Sequence, residues 1–228
     1  MQAKKSFVVD ALSFGFRELI EHVRLFVLVI LTGAGLLALV VGILALLNKN
    51  FVYAAIYSGP SRMPLFELIS TNFFSLAISV LVLALFLVGL DLGFKKVALS
   101  LYDHENSNVK ELVSCFALAP KALVAWILYG AMVWLGWLFF ILPGFIALLR
   151  FAFFPYFIID KNAGVIEALR MSCHATKNHI WDMFAFWAAV KIISYFGFVS
   201  GIGIVLTWPL STLAYAYYYR KLVPHHRS

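Results

Sequence analysis

The stretch ALVAWILYGAMVWLGWLFFILPGFIALLRFAFFPYFII, from Ala122 to Ile159, decides the fold of this chain. The 28 residues that precede Arg150 in it carry no charge. As a single helix the stretch would be roughly 57 Å long, nearly twice the roughly 30 Å hydrocarbon core of a bilayer. It therefore predicts two membrane-spanning helices, with the chain folding back at Pro143-Gly144.

The composition of the whole chain is also that of a membrane protein. Hydrophobic residues make up 63% of the 228 residues and charged residues 13%, against about 45–50% and about 25% in soluble domains. Almost nothing remains for a domain outside the membrane. We therefore expect residues 1–228 to form one all-α unit, a polytopic bundle of membrane helices.

Six apolar windows have the length of a membrane crossing. Pro143-Gly144 separates the third from the fourth, and the glycine-rich segment 197–203 separates the fifth from the sixth. The predicted spans cover about residues 25–48, 68–94, 120–142, 144–159, 181–199 and 201–219. An even number of spans places both termini on the same side of the membrane.

The basic residues outside the spans predict which side that is. Fourteen Lys and Arg residues precede the first span, follow the sixth, or lie between spans two and three or four and five. Only Lys49 and Arg62 lie in the other connections. Because positively charged loops stay in the cytoplasm, both termini are predicted to be cytoplasmic. A cleaved signal peptide is not expected, since the first apolar run exceeds the length of about 7–15 residues typical of one.

Two segments on the predicted cytoplasmic side have the pattern of amphipathic surface helices. In residues 7–24 and again in residues 164–180, apolar residues recur at helical spacing and charged residues lie mostly on the opposite face. Such helices lie on a membrane surface, and basic ones bind anionic lipids. Membrane lipids are therefore the predicted partners, and this distribution of the net charge of +7 argues against nucleic acid.

The segment around residues 140–185 resembles a group of bacterial six-helix membrane proteins, the YciC-like proteins and the membrane domain of some glycerophosphodiester phosphodiesterases. The resemblance is carried by an ordered set of residues, Pro143, Gly144, Asp160, Gly164, Glu167 and Ser172. It implies a helical bundle in the bacterial inner (plasma) membrane, in which these residues have structural roles. In that group any catalysis belongs to a separate soluble barrel, for which this chain leaves no room, so no hydrolase activity is expected.

Three charged residues within the predicted spans are the candidate functional residues, because an ionisable side chain in hydrocarbon is costly. They are Asp91, Arg150 and Lys191. One interpretation makes them a buried acid–base pair or a binding site for an anionic group. In the other, Asp91 pairs with Lys95 one turn away, while Arg150 and Lys191 extend to the nearest headgroups.

The sequence gives no support for catalysis or metal binding. Ser200 lacks the Gly-x-Ser-x-Gly pattern of a nucleophile and has no histidine beside it, and His174 and His179 lack the four-residue spacing that converges on zinc. Cys115 and Cys173 form neither a disulfide framework nor a metal site. We expect no catalytic residues, no metal and no cofactor. Close pairs of small residues such as Gly89 and Gly93 predict tight helix packing within the bundle, or homo-oligomer formation.

Two functions are consistent with this sequence. The first is a non-catalytic accessory or scaffold protein in envelope or lipid homeostasis, which the basic surface helices favour. The second is a carrier for a small solute or lipid, which Arg150 and Lys191 favour. An internal polar cavity joining Arg150 to one face would indicate the carrier, and a solid interior would count against it.

Overall fold

The computed structural model describes residues 2–49, 65–103, 110–177, 179–199 and 203–223. The described residues are helical or lie in short connections, and they contain no strand. The helices are α1 (Gln2–Glu21), α2 (Val23–Leu47), α3 (Leu65–Tyr102), α4 (Lys110–Ser114), α5 (Ala119–Phe139), α6 (Ile141–Arg150), α7 (Phe154–Lys161), α8 (Val165–Thr176), α9 (Ile180–Val199) and α10 (Gly203–Leu222). A short 3₁₀ turn, Phe116–Leu118, joins α4 to α5.

Five helical segments are long and apolar enough to cross a membrane, so the chain is a multi-pass, all-helical membrane protein. They are Val23–Leu47, Asn72–Tyr102, Lys110–Phe139, Leu142–Lys161 and Ile180–Gly197. The sixth predicted span, 201–219, begins outside the described residues and continues in α10. Six crossings, and the cytoplasmic side of the surface helices, stay predictions.

The first predicted surface helix, α1, packs against α10. α1 runs into α2 through the single residue His22, whose N–H donates to the carbonyl of Glu18 at 3.0 Å. A Cβ at Gly15 would lie 3.1 Å from the carbonyl oxygen of Leu210, so α1 touches the backbone of α10. Ala11 and Leu19 are buried. Gly15 and Leu19, on the predicted apolar face, are therefore covered by protein, whereas Phe16 and Val23, predicted for the same face, are 54% and 44% exposed.

The chain turns back between α5 and α6 at Phe140, three residues before the predicted turn at Pro143-Gly144. Phe140 has an extended backbone (φ −164°, ψ 151°), and both proline and glycine belong to the first turn of α6. Proline is tolerated there because the N–H groups of the first turn have no partner within the helix. Gly144 instead allows α5 and α6 to pack closely. A Cβ added at Gly136 of α5 would lie 2.6 Å from the Cα of Gly144.

The fourth predicted span, 144–159, is not one helix. α6 ends at Arg150 and α7 begins at Phe154, with a turn at residues 151–153 between them. Pro155 explains the break, because its ring would clash with the carbonyl of Phe151 in a continuous helix and its nitrogen has no hydrogen to donate. Together α6 and α7 still form an apolar segment of membrane-spanning length.

The second predicted surface helix, 164–180, is shorter than expected. α8 ends at Thr176, and α9 begins at Ile180. The Gly164 N–H donates to the carboxylate of Glu167 at 3.1 Å, which caps the start of α8. Leu169, Ser172 and Thr176 are buried while the predicted polar face is exposed. The periodicity therefore predicted the buried face of α8.

The buried core is rich in aromatic side chains. The largest fully buried ones are Tyr156, Tyr218, Tyr219, Phe153, Phe154 and Phe186. The rings of Phe153 and Tyr218 are stacked, with their centroids 5.5 Å apart, so the α6–α7 connection packs against α10. By contrast, Phe74, Leu46 and Trp134 are at least 74% exposed, as expected for side chains that face lipid.

Gly89 and Gly93 of α3 pack within the chain. A Cβ at Gly93 would lie 2.3 Å from the carbonyl oxygen of Leu112, and one at Gly89 would lie 2.9 Å from the ring of Phe116. These two glycines therefore let the 112–116 segment approach α3, as the small-residue spacing predicts.

Candidate functional site

Two of the three predicted charged residues, Asp91 and Lys191, line one pocket. Its volume is about 360 Å³, and α3, α5, α9 and α10 meet there with the two halves of the broken α6–α7 segment. The lining residues are Asp91, Lys95, Trp126, Tyr129, Leu148, Ala152, Phe154, Tyr156, Trp187, Lys191, Trp208, Ser211, Thr212 and Tyr215. The volume is at the lower end of the range of about 300–1,000 Å³ for ligand pockets.

Asp91 is paired with Lys95 on the same helix. The Lys95 ammonium donates to the Asp91 carboxylate, as the four-residue spacing predicts. The same ammonium lies 6.0 Å from the ring centroid of Trp126 on α5. The pair adds no net charge to the pocket.

Lys191 gives the pocket a surplus positive charge. Its ammonium lies 5.9 Å from the ring centroid of Trp187, one turn earlier on α9. Among the residues described, no acidic side chain lies within 4.0 Å of it. Two ammonium groups and one carboxylate leave a net charge of +1.

Four of the five hydroxyl groups of the pocket already donate to backbone carbonyls, and the fifth, that of Tyr215, has no hydrogen bond among the described residues. Tyr129 donates to Leu148 at 3.3 Å and Tyr156 to Thr212 at 3.4 Å. Ser211 and Thr212 both donate to Trp208, at 2.8 and 3.0 Å. These oxygens retain lone pairs and can accept hydrogen bonds. The lysine ammonium groups are therefore the charged donors available to a ligand, and the Tyr215 hydroxyl is a neutral one.

Arg150, the third predicted residue, is not in the pocket. It is the last residue of α6, where its carbonyl accepts hydrogen bonds from Ser172 at 2.8 Å and Thr176 at 3.2 Å. Its buried Nε has no acceptor among the described residues. The structure thus brings Asp91 and Lys191 together and leaves Arg150 at the helix break.

Ser172, one of the residues that carry the family resemblance, lies at the same break. It is fully buried; its Oγ donates to the Arg150 carbonyl at 2.8 Å and accepts from the Phe153 N–H at 3.2 Å. A break in a membrane helix frees backbone groups that a neighbouring helix must satisfy. α8 supplies that partner with Ser172 and Thr176.

Asp160, another of those residues, belongs to a charge cluster that the sequence did not predict. Its Oδ1 lies 2.8 Å from Nη1 of Arg220, and its Oδ2 accepts a hydrogen bond from the Tyr219 hydroxyl at 2.9 Å. The other end of the Arg220 guanidinium contacts Asp103 at 2.5 Å. No spacing signal links Asp103 to Arg220, because the two lie far apart in the chain.

The cluster holds Arg220 in its charged form. Burial opposes the charge, but the hydrogen bond with Asp103 and the charge of Asp160 outweigh burial and raise the pKa of Arg220 above its ordinary value. Because the buried Arg220 guanidinium is already engaged by both carboxylates, we assign the cluster a structural role.

Three side chains near the end of α1 could hold a metal ion by distance alone. Ligand atoms of Glu18, Glu21 and His22 lie within 4.8 Å of one another. They are already engaged, since Glu18 contacts His22 at 3.3 Å and Glu21 contacts Arg17 at 2.9 Å. We assign no metal site to this group.

Comparison with known proteins adds no relative, because no family model, no curated protein and no solved structure matches the chain. The YciC-like resemblance therefore stays a prediction.

Proposed function

We propose that the protein is a non-catalytic membrane carrier that binds a small solute or a lipid in the pocket of Asp91, Lys95 and Lys191. The observation that supports this function best is the pocket itself, in which three charged side chains line a volume of about 360 Å³. A solid interior would have favoured the scaffold. The route through Arg150 is not part of the proposal, since Arg150 does not line the pocket.

The cost of charged groups in a membrane supports a functional pocket. A lysine or aspartate at the centre of a membrane helix costs about 2.5–3.5 kcal/mol on insertion scales. Lys95 offsets this cost for Asp91 by pairing with it. Lys191 lies eleven residues into α9 and has no such partner among the described acidic residues. A bound anion would supply one.

The broken helix also favours a carrier. Ala152, in the turn between α6 and α7, lines the pocket. Transporters commonly place binding sites at discontinuous membrane helices, where the irregular backbone lines a cavity. Here the same break is stabilised from the other side by Ser172.

The accessory function in lipid homeostasis is the second candidate, and α8 favours it. Arg170, His174 and Lys177 lie on the exposed face of α8 and its last turn. If that face is cytoplasmic, these side chains can contact the anionic surface of the inner membrane. The two functions are compatible, because a carrier can also dock on lipid by this face.

The carrier is tested by the compounds that remain bound through purification. Wild type and the Lys191→Met variant are purified in mild detergent and their extracts compared by mass spectrometry. Lys161→Met is the matched control, because Lys161 is also exposed and lies 5.7 Å from an aromatic ring centroid but outside the pocket. A compound retained by wild type and Lys161→Met but lost from Lys191→Met supports the proposal. Identical extracts from all three proteins contradict it.

A further inference from the structure

We infer that the ligand of the pocket is a lipid with an anionic phosphodiester headgroup that also carries hydroxyl groups. This inference rests on the proposed function and names the class of ligand. It follows from the charge of the pocket, the hydrogen-bonding state of its walls and the surface around it.

The charge of the pocket selects an anion of charge −1. Lys95 and Asp91 neutralise each other, so one ammonium group, that of Lys191, remains to be balanced. A phosphodiester carries one negative charge, which matches this surplus. Lysine binds phosphate as a point charge, without the planar geometry that arginine would require.

The walls favour a headgroup with hydroxyl donors. The hydroxyls of Tyr129, Ser211 and Thr212 donate to backbone carbonyls and therefore face a ligand as acceptors. The Asp91 carboxylate is also an acceptor. A polyol such as glycerol can donate to these oxygens, whereas a trimethylammonium group cannot.

The surroundings favour a lipid over a free phosphate compound. Two rings of the pocket, Trp126 and Trp208, are 37% and 45% exposed, so the pocket is open at its side. Farther along α9, Ile192, Tyr195 and Phe196 are 57–69% exposed. Because this surface belongs to a helix of membrane-spanning length, a molecule entering here comes from the bilayer. The pocket volume fits a headgroup, and the acyl chains would remain on the apolar surface outside.

The test measures binding of defined lipids to detergent-purified protein by native mass spectrometry. The probes are dioctanoyl phosphatidylglycerol, dioctanoyl phosphatidylethanolamine, dioctanoyl phosphatidylcholine and glycerophosphoglycerol, the headgroup without chains. We expect phosphatidylglycerol to bind most tightly and to bind Lys191→Met about tenfold more weakly, since the charge contact with the phosphodiester is lost. Lys161→Met should bind it like wild type. Equal elution volume and melting temperature of both variants show that they are folded.

Each other outcome overturns the inference in a distinct way. Equal binding of phosphatidylcholine or phosphatidylethanolamine, whose phosphates carry the same charge, shows that the net negative charge and the hydroxyl groups of the headgroup are not recognised. Equal binding of glycerophosphoglycerol identifies a soluble phosphodiester as the ligand. Absence of phosphatidylglycerol binding, or binding that Lys191→Met leaves unchanged, removes the lipid from this pocket. The carrier proposal survives all these results if the purified protein still retains another compound in a Lys191-dependent manner.

Discussion

Nη2 of Arg220 lies 2.5 Å from Oδ2 of Asp103, although 117 residues separate them in the chain. The same guanidinium contacts Asp160 at 2.8 Å, so one side chain joins the ends of α3, α7 and α10. The side chains of Arg220 and Asp160 are 5% and 9% exposed. The contacts hold the ends of these three helices together.

Replacing Arg220 with methionine should destabilise the protein strongly. The change leaves the carboxylates of Asp160 and Asp103, which are 9% and 18% exposed, without their cation. Loss of one partner of a buried ion pair costs about 3–5 kcal/mol. Thermal unfolding in detergent, followed by circular dichroism, measures the effect. Arg17→Met is the control, because the Arg17–Glu21 pair is 77% and 51% exposed and such pairs contribute at most about 1 kcal/mol. Equal losses in the two variants would contradict the structural role of the cluster.

Replacing Ser172 with alanine should weaken the joint between α6 and α7. The buried N–H of Phe153 then loses its acceptor, and an unsatisfied buried donor costs about 1–3 kcal/mol. Ser13→Ala is the matched control, because the Ser13 hydroxyl donates to the Asp10 carbonyl on an exposed face. Its effect should stay within about 0.5 kcal/mol. Unfolding of Ser172→Ala at the wild-type temperature would show that the break does not depend on this serine.

Replacing two glycines of α5 with alanine should change the stability of the protein in opposite directions. A Cβ at Gly136 would lie 2.6 Å from the Cα and 2.7 Å from the N of Gly144, so Gly136→Ala must push α6 away and should cost about 1–3 kcal/mol. A Cβ at Gly130 meets nothing within 4 Å, so Gly130→Ala should stabilise the helix by up to about 1 kcal/mol. Melting temperatures of the two variants check both signs. An unchanged or raised melting temperature of Gly136→Ala would refute the close contact of α5 and α6.

The sequence predicted those parts of the fold that depend on the bilayer or on a single helix. Five helical segments of membrane-spanning length are present because a crossing needs roughly 20 apolar residues in a row, which is visible without tertiary information. The buried face of α8 and the buried positions Gly15 and Leu19 of α1 follow from helical periodicity. The Asp91–Lys95 pair follows from the four-residue spacing.

The features that depend on packing between distant segments could not be predicted in the same way. A Pro-Gly pair indicates a turn, but at Pro143-Gly144 it begins a helix whose turn lies at Phe140. The pocket joins Asp91 to Lys191 through helices remote in sequence, and nothing in the spacing indicated that Arg150 would lie outside it. Pro155 was the available signal for the break in the fourth span, since proline within a helix removes a hydrogen bond one turn earlier.

The predicted topology can be tested by labelling single cysteines. In a background in which Cys115 and Cys173 are replaced by alanine, Phe140→Cys places one thiol at the exposed turn between α5 and α6, and Lys177→Cys places one at an exposed position after α8. Phe140 lies at the turn between α5 and α6. Lys177 follows α8, on the predicted side that carries fourteen of the basic residues. The positive-inside rule therefore places residue 140 outside and residue 177 in the cytoplasm.

We expect a membrane-impermeant maleimide to label Phe140→Cys in intact spheroplasts and Lys177→Cys only after lysis. Labelling of both variants after lysis is the control that each thiol is accessible. Cysteines added at the two chain ends should behave like Lys177→Cys, because six spans return the chain to the side where it began. If one end were labelled before lysis and the other only after it, the number of crossings would be odd. The segment containing α10 would then lie on one side of the membrane instead of spanning it.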